Sequence, residues 1–228
     1  MKQLRYLVLA TALAGSAAFA QSLSGPGQAG FVLQRQDIDG PTQAAALQAL
    51  RGLTAMVGTG RAFPAGFPLA ISSVDDLRQL QLGWGFEVND VAPSQLKVGV
   101  PIEQAARGNG QWRYALLSHG KPVGLVTVQR GAQGWQVVSF GGAGLSQDIQ
   151  RLLDRYPGRN VHFRYVRFPQ AGADFIEVRQ GAAPPLYAPL RAAQASLGAA
   201  LGRPGLYSAA ELLPVLRTAT ARNIDLLH

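Results

Sequence analysis

Three β-strands joined by short turns constrain the fold more than any other feature of this sequence. They are predicted at residues 112–117, 123–129 and 135–140, where apolar and polar residues alternate or β-branched residues accumulate. The turns at 118–122 and 131–134 contain glycine, and the first also contains proline. Because turns this short join antiparallel neighbours, the stretch predicts an antiparallel β-meander and argues against a doubly wound parallel sheet.

An amphipathic helix is predicted directly after the meander. Its polar residues lie on one face, and Pro157 with Gly158 ends it. A second hairpin follows, with strands at 161–168 and 174–179. A helix with a single apolar stripe covers one face of a sheet. The predicted order of three strands, one helix and two strands therefore predicts an α+β fold. The apolar stripe consists of Leu145, Ile149, Leu152, Leu153 and Tyr156.

Helices are also predicted near both ends of the chain. The first begins at Pro41, ends at 58–60 and carries an apolar stripe, and Ser72 or Ser73 caps a short second helix that runs through Leu80. After Gln180 the chain is rich in proline and alanine, and a final helix follows. That helix begins with a capping box of Ser208 and Glu211, and Pro214 is expected to kink or shorten it.

The first 20 residues have the pattern of a signal peptide. Lys2 and Arg5 precede an apolar run at 6–14 that is too short to span a bilayer, and Ala18-Phe19-Ala20 is a small-x-small cleavage site. Cleavage after Ala20 would leave a mature chain without a membrane-spanning helix. The expected organisation is a signal peptide at 1–20, a flexible segment at 21–40, an α+β domain at 41–180 and a Pro/Ala-rich helical segment at 181–228.

The absence of cysteine narrows the class of protein further. A cysteine-free chain has no disulfide, no thiolate metal site and no cysteine nucleophile. Exported proteins without cysteine are typical of bacteria. We therefore expect a bacterial envelope or secreted protein, either periplasmic or extracellular.

The net charge of +8 comes almost entirely from arginine. One interpretation of this charge is that solvated arginine side chains are spread over the surface. The alternative is that the protein binds an anionic polymer. Without interleaved exposed aromatic residues, nucleic acid is not an expected partner. The candidate binding patch, predicted to share one surface, is Arg155, Arg159, His162 and Arg164.

The sequence carries no motif for a catalytic, cofactor or metal site. The glycine-rich turn at 141–144 lacks the lysine of a phosphate-binding loop, the three histidines lack metal-ligand spacing, and there is no G-x-S-x-G motif. A Ser/His/Asp site assembled in space remains an alternative, with His119 or His162 as its base. His119 has the hydroxyls of Ser118 and Thr127 near it in sequence.

Three stretches carry a resemblance to a known family. They are LGWGFEV at 82–88, WRYALLSHGKPV at 112–123 and GWQVVSFGG at 134–142. Their order is a strand, a turn and a second strand, followed by a pair of glycines before a helix. This order resembles the PepSY, or propeptide-type, domains of exported bacterial proteins. Such domains accompany secreted peptidases. The resemblance spans residues 75–178 and implies an α+β fold with a protein partner. It carries over no catalytic residue.

These observations predict an exported, non-catalytic α+β module that binds a protein or another envelope component, without a cofactor. A secreted hydrolase with a spatially assembled site and an anionic-polymer-binding protein are the alternatives. The hydrolase requires a histidine within hydrogen-bond reach of a serine and an aspartate. The polymer binder requires Arg155, Arg159 and Arg164 on one surface.

Overall fold

All the strands join into one eight-stranded sheet. The computed structural model describes residues 40–57, 67–96, 100–157 and 160–226. The strands are β1 (Gln81–Asp90), β2 (Arg107–Ser118), β3 (Lys121–Gly131), β4 (Gly134–Gly141), β5 (Val161–Phe168), β6 (Ala173–Gln180), β7 (Leu186–Pro189) and β8 (Tyr207–Ser208). The described helices are α1 (Pro41–Val57), α2 (Val74–Arg78), α3 (Ile102–Ala105), α4 (Ala143–Arg155), α5 (Arg191–Leu201) and α6 (Ala209–Asp225). The predicted α+β class, with N- and C-terminal helices, is confirmed.

The sheet consists of two antiparallel halves joined at its centre. The strand order is β4-β3-β2-β1-β5-β6-β7-β8, so the predicted meander forms one half. The halves meet where Asn89 and Asp90 pair in parallel with Val166 and Arg167. The sequence did not predict this parallel pair, which arises because α4 carries the chain from the outer strand back to the middle of the sheet.

α4 covers one face of the sheet with the predicted apolar stripe. Ile149, Leu152 and Leu153 are buried against side chains of both halves, including Phe86 and Tyr165. The turn into α4 places Gly142 at φ 69°, a left-handed conformation that favours glycine. We call this side of the sheet the α4 face.

The opposite face is covered by helices from both ends of the chain. α1 packs on the meander, where the hydroxyls of Thr42 and Tyr114 lie 2.6 Å apart. α6 packs on the second half, where Leu212 and Leu216 contact a cluster around the edge-to-face rings of Phe168 and Phe175. Helices on both faces therefore bury the sheet, so the fold has three layers.

The C-terminal segment is part of the same sheet. The sequence predicts only helices after Gln180, whereas β7 and β8 extend the sheet; strands of four and two residues are too short for a recognisable period. The Ser208–Glu211 capping box is confirmed. α6 runs on through Pro214 without being shortened, since the buried Leu212 and Leu216 hold the turns on both sides of it.

The remaining predictions lie at the N-terminal side. Ser73 caps α2, which ends at Arg78 rather than Leu80. The predicted signal peptide at 1–20 and the segment at 21–39 lie outside the described residues. Among the residues that are described, no helix is both long and apolar enough to cross a membrane.

A candidate anion-binding groove

The structure does not bring the predicted basic patch together. Arg155 is exposed at the end of α4, whereas His162 and Arg164 are on the opposite face of β5 from the α4-face residues Phe163 and Tyr165. The predicted single surface is therefore wrong for Arg155 and Arg164. Alternation along the strand separates β5 residues from a helix that packs on its other face.

Arg164 is also engaged inside the protein. Its side chain is 15% exposed, its Nη2 lies 2.5 Å from the Glu177 carboxylate, and its Nη1 donates to the carbonyl of Glu103 at 3.1 Å. It is a structural ion-pair partner rather than a surface cation. Arg159, the fourth residue of the predicted patch, lies outside the described residues.

A groove of about 850 Å³ lies between α4 and α5. Its apolar lining includes Leu152 of α4, Leu190 before α5 and Leu206 before β8, all of which pack in the α4-face core. The segment 202–206 forms one end of the groove. Two helices and a connecting segment thus enclose a surface whose base is apolar and whose rim is polar.

The rim of the groove carries four exposed arginines and one acid. Arg151 and Arg155 are on α4, Arg191 begins α5, and Arg203 lies in the end segment. Asp148 is the only described acid that lines the groove; its side chain is 12% exposed and pairs with both Arg151 and Arg191. We call these four residues the groove arginines.

The groove arginines differ in how firmly other residues hold them. Arg203 pairs with Glu211 at 2.9 Å, and its guanidinium lies 4.8 Å from the centre of the Tyr207 ring. Arg155 makes no ion pair with another described residue. It is therefore the groove arginine most available to a ligand.

Local structure explains how these side chains converge. Asp148, Arg151 and Arg155 are three or four residues apart, so they lie along one side of α4. Gly144 leaves room for Arg191, because a Cβ at this position would lie 3.0 Å from the Arg191 Nη1. Gly144 and Asp148 of α4 thus both lie against Arg191 at the start of α5.

The arrangement suits an anionic ligand. A guanidinium presents several N–H donors in a plane and binds carboxylate or phosphate oxygens in a bidentate manner. Cations beside an apolar surface are screened less than isolated cations in water. Asp148 and Glu211, the partner of Arg203, supply two carboxylates for four guanidinium groups, so the rim keeps a net positive charge.

The arrangement nearest to a Ser/His/Asp triad combines His119 with Ser73 and Asp76, which form the capping box of α2. His119 is in a turn, its side chain is 63% exposed, and its Nε2 lies 3.6 Å from the Asp76 carboxylate. That carboxylate accepts the backbone N–H of Ser73, and the Ser73 hydroxyl lowers the pKa of Asp76. No hydroxyl is hydrogen-bonded to His119 within the described part of the chain.

A second charged cluster lies on the α4 face where the halves of the sheet meet. Arg167 binds Asp90 through two hydrogen bonds of 2.9 and 3.1 Å, and the Arg113 guanidinium lies 5.6 Å from the centre of the Tyr165 ring. Burial raises the pKa of Asp174 beside them. Two arginines and two aspartates balance here, so the cluster is structural. The sequence does not reveal it, because it depends on the parallel β1–β5 pair.

The comparisons with known proteins add no assignment. No protein-family model, curated protein or solved structure matches the chain. The resemblance to PepSY domains therefore stays a prediction. Across the ranges that the structure describes, no three histidine, aspartate or glutamate side chains are grouped so that they could hold a metal ion.

Proposed function

We propose that this protein is an exported, non-catalytic binding module and that the groove between α4 and α5 holds an anionic envelope component. The observation that carries the proposal is the lining of the groove, in which four arginines surround one carboxylate. The signal-peptide pattern supports an envelope location.

The geometry favours binding over catalysis. Guanidinium groups offer charge and hydrogen-bond donors rather than proton transfer. Asp148 is paired with two of them and is held as a carboxylate acceptor rather than a general base. Recognition of carboxylate or phosphate groups is the chemistry that such a set supports best.

The test is a titration with two defined polyanions. The chain from Gln21 to His228 is mixed with fluorescent polyphosphate or fluorescent poly-L-glutamate, and polarisation is followed over a range of salt concentrations. We expect binding that weakens steeply with salt, because each neutralised ligand charge releases a condensed counterion. The two polymers distinguish phosphate from carboxylate as the recognised group.

The variant that tests the groove is Arg151→Gln with Arg155→Gln. Asp148 keeps Arg191 as a partner in it, so no buried carboxylate is left alone. We expect at least about a tenfold loss of affinity, since each hydrogen bond to a charged group contributes about 1.5 kcal/mol or more.

The matched control is Arg51→Gln with Arg130→Gln, which removes the same charge at exposed sites on α1 and at the end of β3. We expect it to bind almost as tightly as the unmodified chain. Equal losses of affinity in the two double variants would show that binding depends only on net charge, and would refute the groove as the binding site. No binding of either polymer at low salt would also refute it.

A further inference from the structure

The outer edge of β4 differs from the edge at the other end of the sheet. β4 is the outermost strand of the meander, and no described residue pairs with its outer side. The opposite edge, β8, is only two residues long and runs directly into α6. The long exposed edge is therefore confined to one side of the molecule.

β4 lacks the charged residues and the proline that commonly prevent edge strands from pairing. Such strands commonly carry lysine, other charges or proline. β4 reads GWQVVSFG, without charge or proline, and Val138 is 49% exposed. In this strongly basic chain, residues 131–147 contain no charged side chain. Two copies can therefore approach through this edge without bringing charges of like sign together.

The strand is also complementary to itself. Reversed, GWQVVSFG has glycine opposite glycine, Trp135 opposite Phe140, Gln136 opposite Ser139 and Val137 opposite Val138. Aromatic, polar and β-branched residues thus each meet their own class. Cross-strand pairs of these kinds stabilise antiparallel sheets.

A β-bulge makes the faces agree with this pairing. Ser139 pairs with Thr127 and Val137 with Val128, so Val138 has no partner on β3. As a result, Trp135, Val137 and Phe140 all pack against the α1 side of the sheet. In a regular strand, Trp135 and Phe140 would point to opposite faces, and a two-fold axis could not pair them.

Gln136 and Ser139 share the other face. Their partners on β3 are Gln129 and Thr127, which are two residues apart and therefore point to the same side. The bulge thus places Trp135 and Phe140 on one face, and Gln136 and Ser139 together on the other. When two β4 strands pair antiparallel, the bulge of one strand lies opposite the bulge of the other. The extra residue in each strand therefore does not shift the register.

We propose that two copies of this chain pair antiparallel through β4, about a two-fold axis that is perpendicular to the sheet and passes between Val137 and Val138. The interface is isologous and closes on itself, so it forms dimers and no longer assemblies. The two sheets become one sheet across the axis. This inference is independent of the ligand groove.

Cysteine cross-linking tests the register, and the natural chain contains no cysteine to interfere. A mixture of the Gln136→Cys and Ser139→Cys variants is oxidised mildly and separated without reductant. We expect a disulfide-linked dimer from the mixture, because residues 136 and 139 face each other across the axis. Gln136→Cys alone should give little dimer, since position 136 does not face its own copy.

The control mixture pairs Gln129→Cys with Ser139→Cys, because Gln129 is exposed on β3 and away from the outer edge. Cross-linking at random collisions would make all three samples alike, and this result would overturn the proposal. If Gln136→Cys alone gave more disulfide-linked dimer than the mixture of Gln136→Cys and Ser139→Cys, the proposed register would be overturned.

Charge substitution at the axis tests the dimer itself. Sedimentation velocity over a range of protein concentrations is compared for the unmodified chain, Val138→Lys, Val138→Glu and the β-branched control Val138→Thr. We expect the natural chain and Val138→Thr to dimerise, each charged variant to be monomeric, and a mixture of the two charged variants to dimerise. A natural chain that stays monomeric at every concentration overturns the proposal, and so does a dimer that survives Val138→Lys with an unchanged dissociation constant.

Discussion

The two halves of the sheet bury polar groups in different ways. On the meander half, the buried polar contact under α1 is neutral: the hydroxyls of Thr42 and Tyr114 meet at 2.6 Å. On the second half, Arg164 and Glu177 form a buried ion pair, and the Tyr187 hydroxyl lies 3.3 Å from the same carboxylate. The buried polar contact under α1 is therefore uncharged, whereas the second half contains a buried charge network.

This difference predicts which half tolerates substitution. A buried ion pair is stable only while both partners are present, because each alone would be a desolvated charge. A neutral hydrogen bond leaves a much smaller penalty when one partner is lost. We therefore expect the second half to be the more sensitive to removal of a single polar side chain.

The largest effect is expected for Glu177→Ala. Glu177 is 4% exposed and pairs with both Arg164 and Arg179, and the Nε of Arg164 already has no hydrogen-bond partner among the described residues. Removing the carboxylate leaves the Arg164 charge buried and should lower the free energy of unfolding by about 3 to 5 kcal/mol. Urea unfolding followed by tryptophan fluorescence measures the loss.

A double variant separates the lost charge from the lost packing. Arg164→Leu with Glu177→Leu removes both charges and keeps the volume, so we expect it to be clearly more stable than Glu177→Ala. Arg179 is half exposed and stays solvated in both variants. If the double variant unfolds as easily as Glu177→Ala, the buried charge is not what destabilises the single variant.

The sequence predicts the local elements of both halves but not the contact between them. The stripe of α4, the turns of the meander and the Ser208 cap each depend on neighbours a few residues away, and periodicity detects such neighbours. The β1–β5 pair joins residues far apart in sequence through only two residues of register. No local pattern encodes so short a pairing.

The same limit explains how much of the groove could be predicted. Arg155 belongs to the predicted patch because it ends a recognisable helix. Arg191 and Arg203 lie in the segment after Gln180, and only the packing of α5 beside α4 brings them close to it. The predicted partners Arg159 and Arg164 follow Arg155 in sequence, but strand alternation turns Arg164 to the other face.

A medium effect is expected at the helix caps, one in each half. Ser208 caps the 17-residue α6, which buries Leu212 and Leu216, whereas Ser73 caps the five-residue α2. Ser208→Ala should lower the free energy of unfolding by about 1 kcal/mol, the usual cost of a lost N-cap. We expect Ser73→Ala to cost less, because α2 anchors fewer buried residues. Equal losses in the same urea unfolding assay would contradict this ranking.

The α6 cap also gives a dependence on pH. The backbone N–H of Ser208 lowers the pKa of Glu211 to about 2 from its ordinary 4.5. A carboxyl group whose pKa is lowered by folding stabilises the folded protein at pH values above its ordinary pKa. This contribution is lost as the pH falls toward about 2. Glu211→Gln should therefore be less stable than the natural chain at neutral pH and equal to it in acid. A difference that persists in acid would show that charge is not its origin.

The smallest effect, and one of opposite sign, is expected for Glu87→Gln on the meander half. Glu87 is half-buried, makes no ion pair with another described residue, and has a pKa that burial raises. The folded protein therefore binds a proton on the Glu87 carboxyl group more tightly than the unfolded chain does. As a result, stability falls as the pH rises through the ordinary and raised pKa values. Glutamine keeps the shape without the charge.

We expect Glu87→Gln to be more stable than the natural chain at neutral pH by less than about 1 kcal/mol, because solvent screens a half-exposed carboxylate. The gain should vanish in acid, where Glu87 is protonated. Urea unfolding at several pH values measures both. A loss of stability at neutral pH would mean that the carboxylate has a stabilising partner, and the meander half would then resemble the charged half.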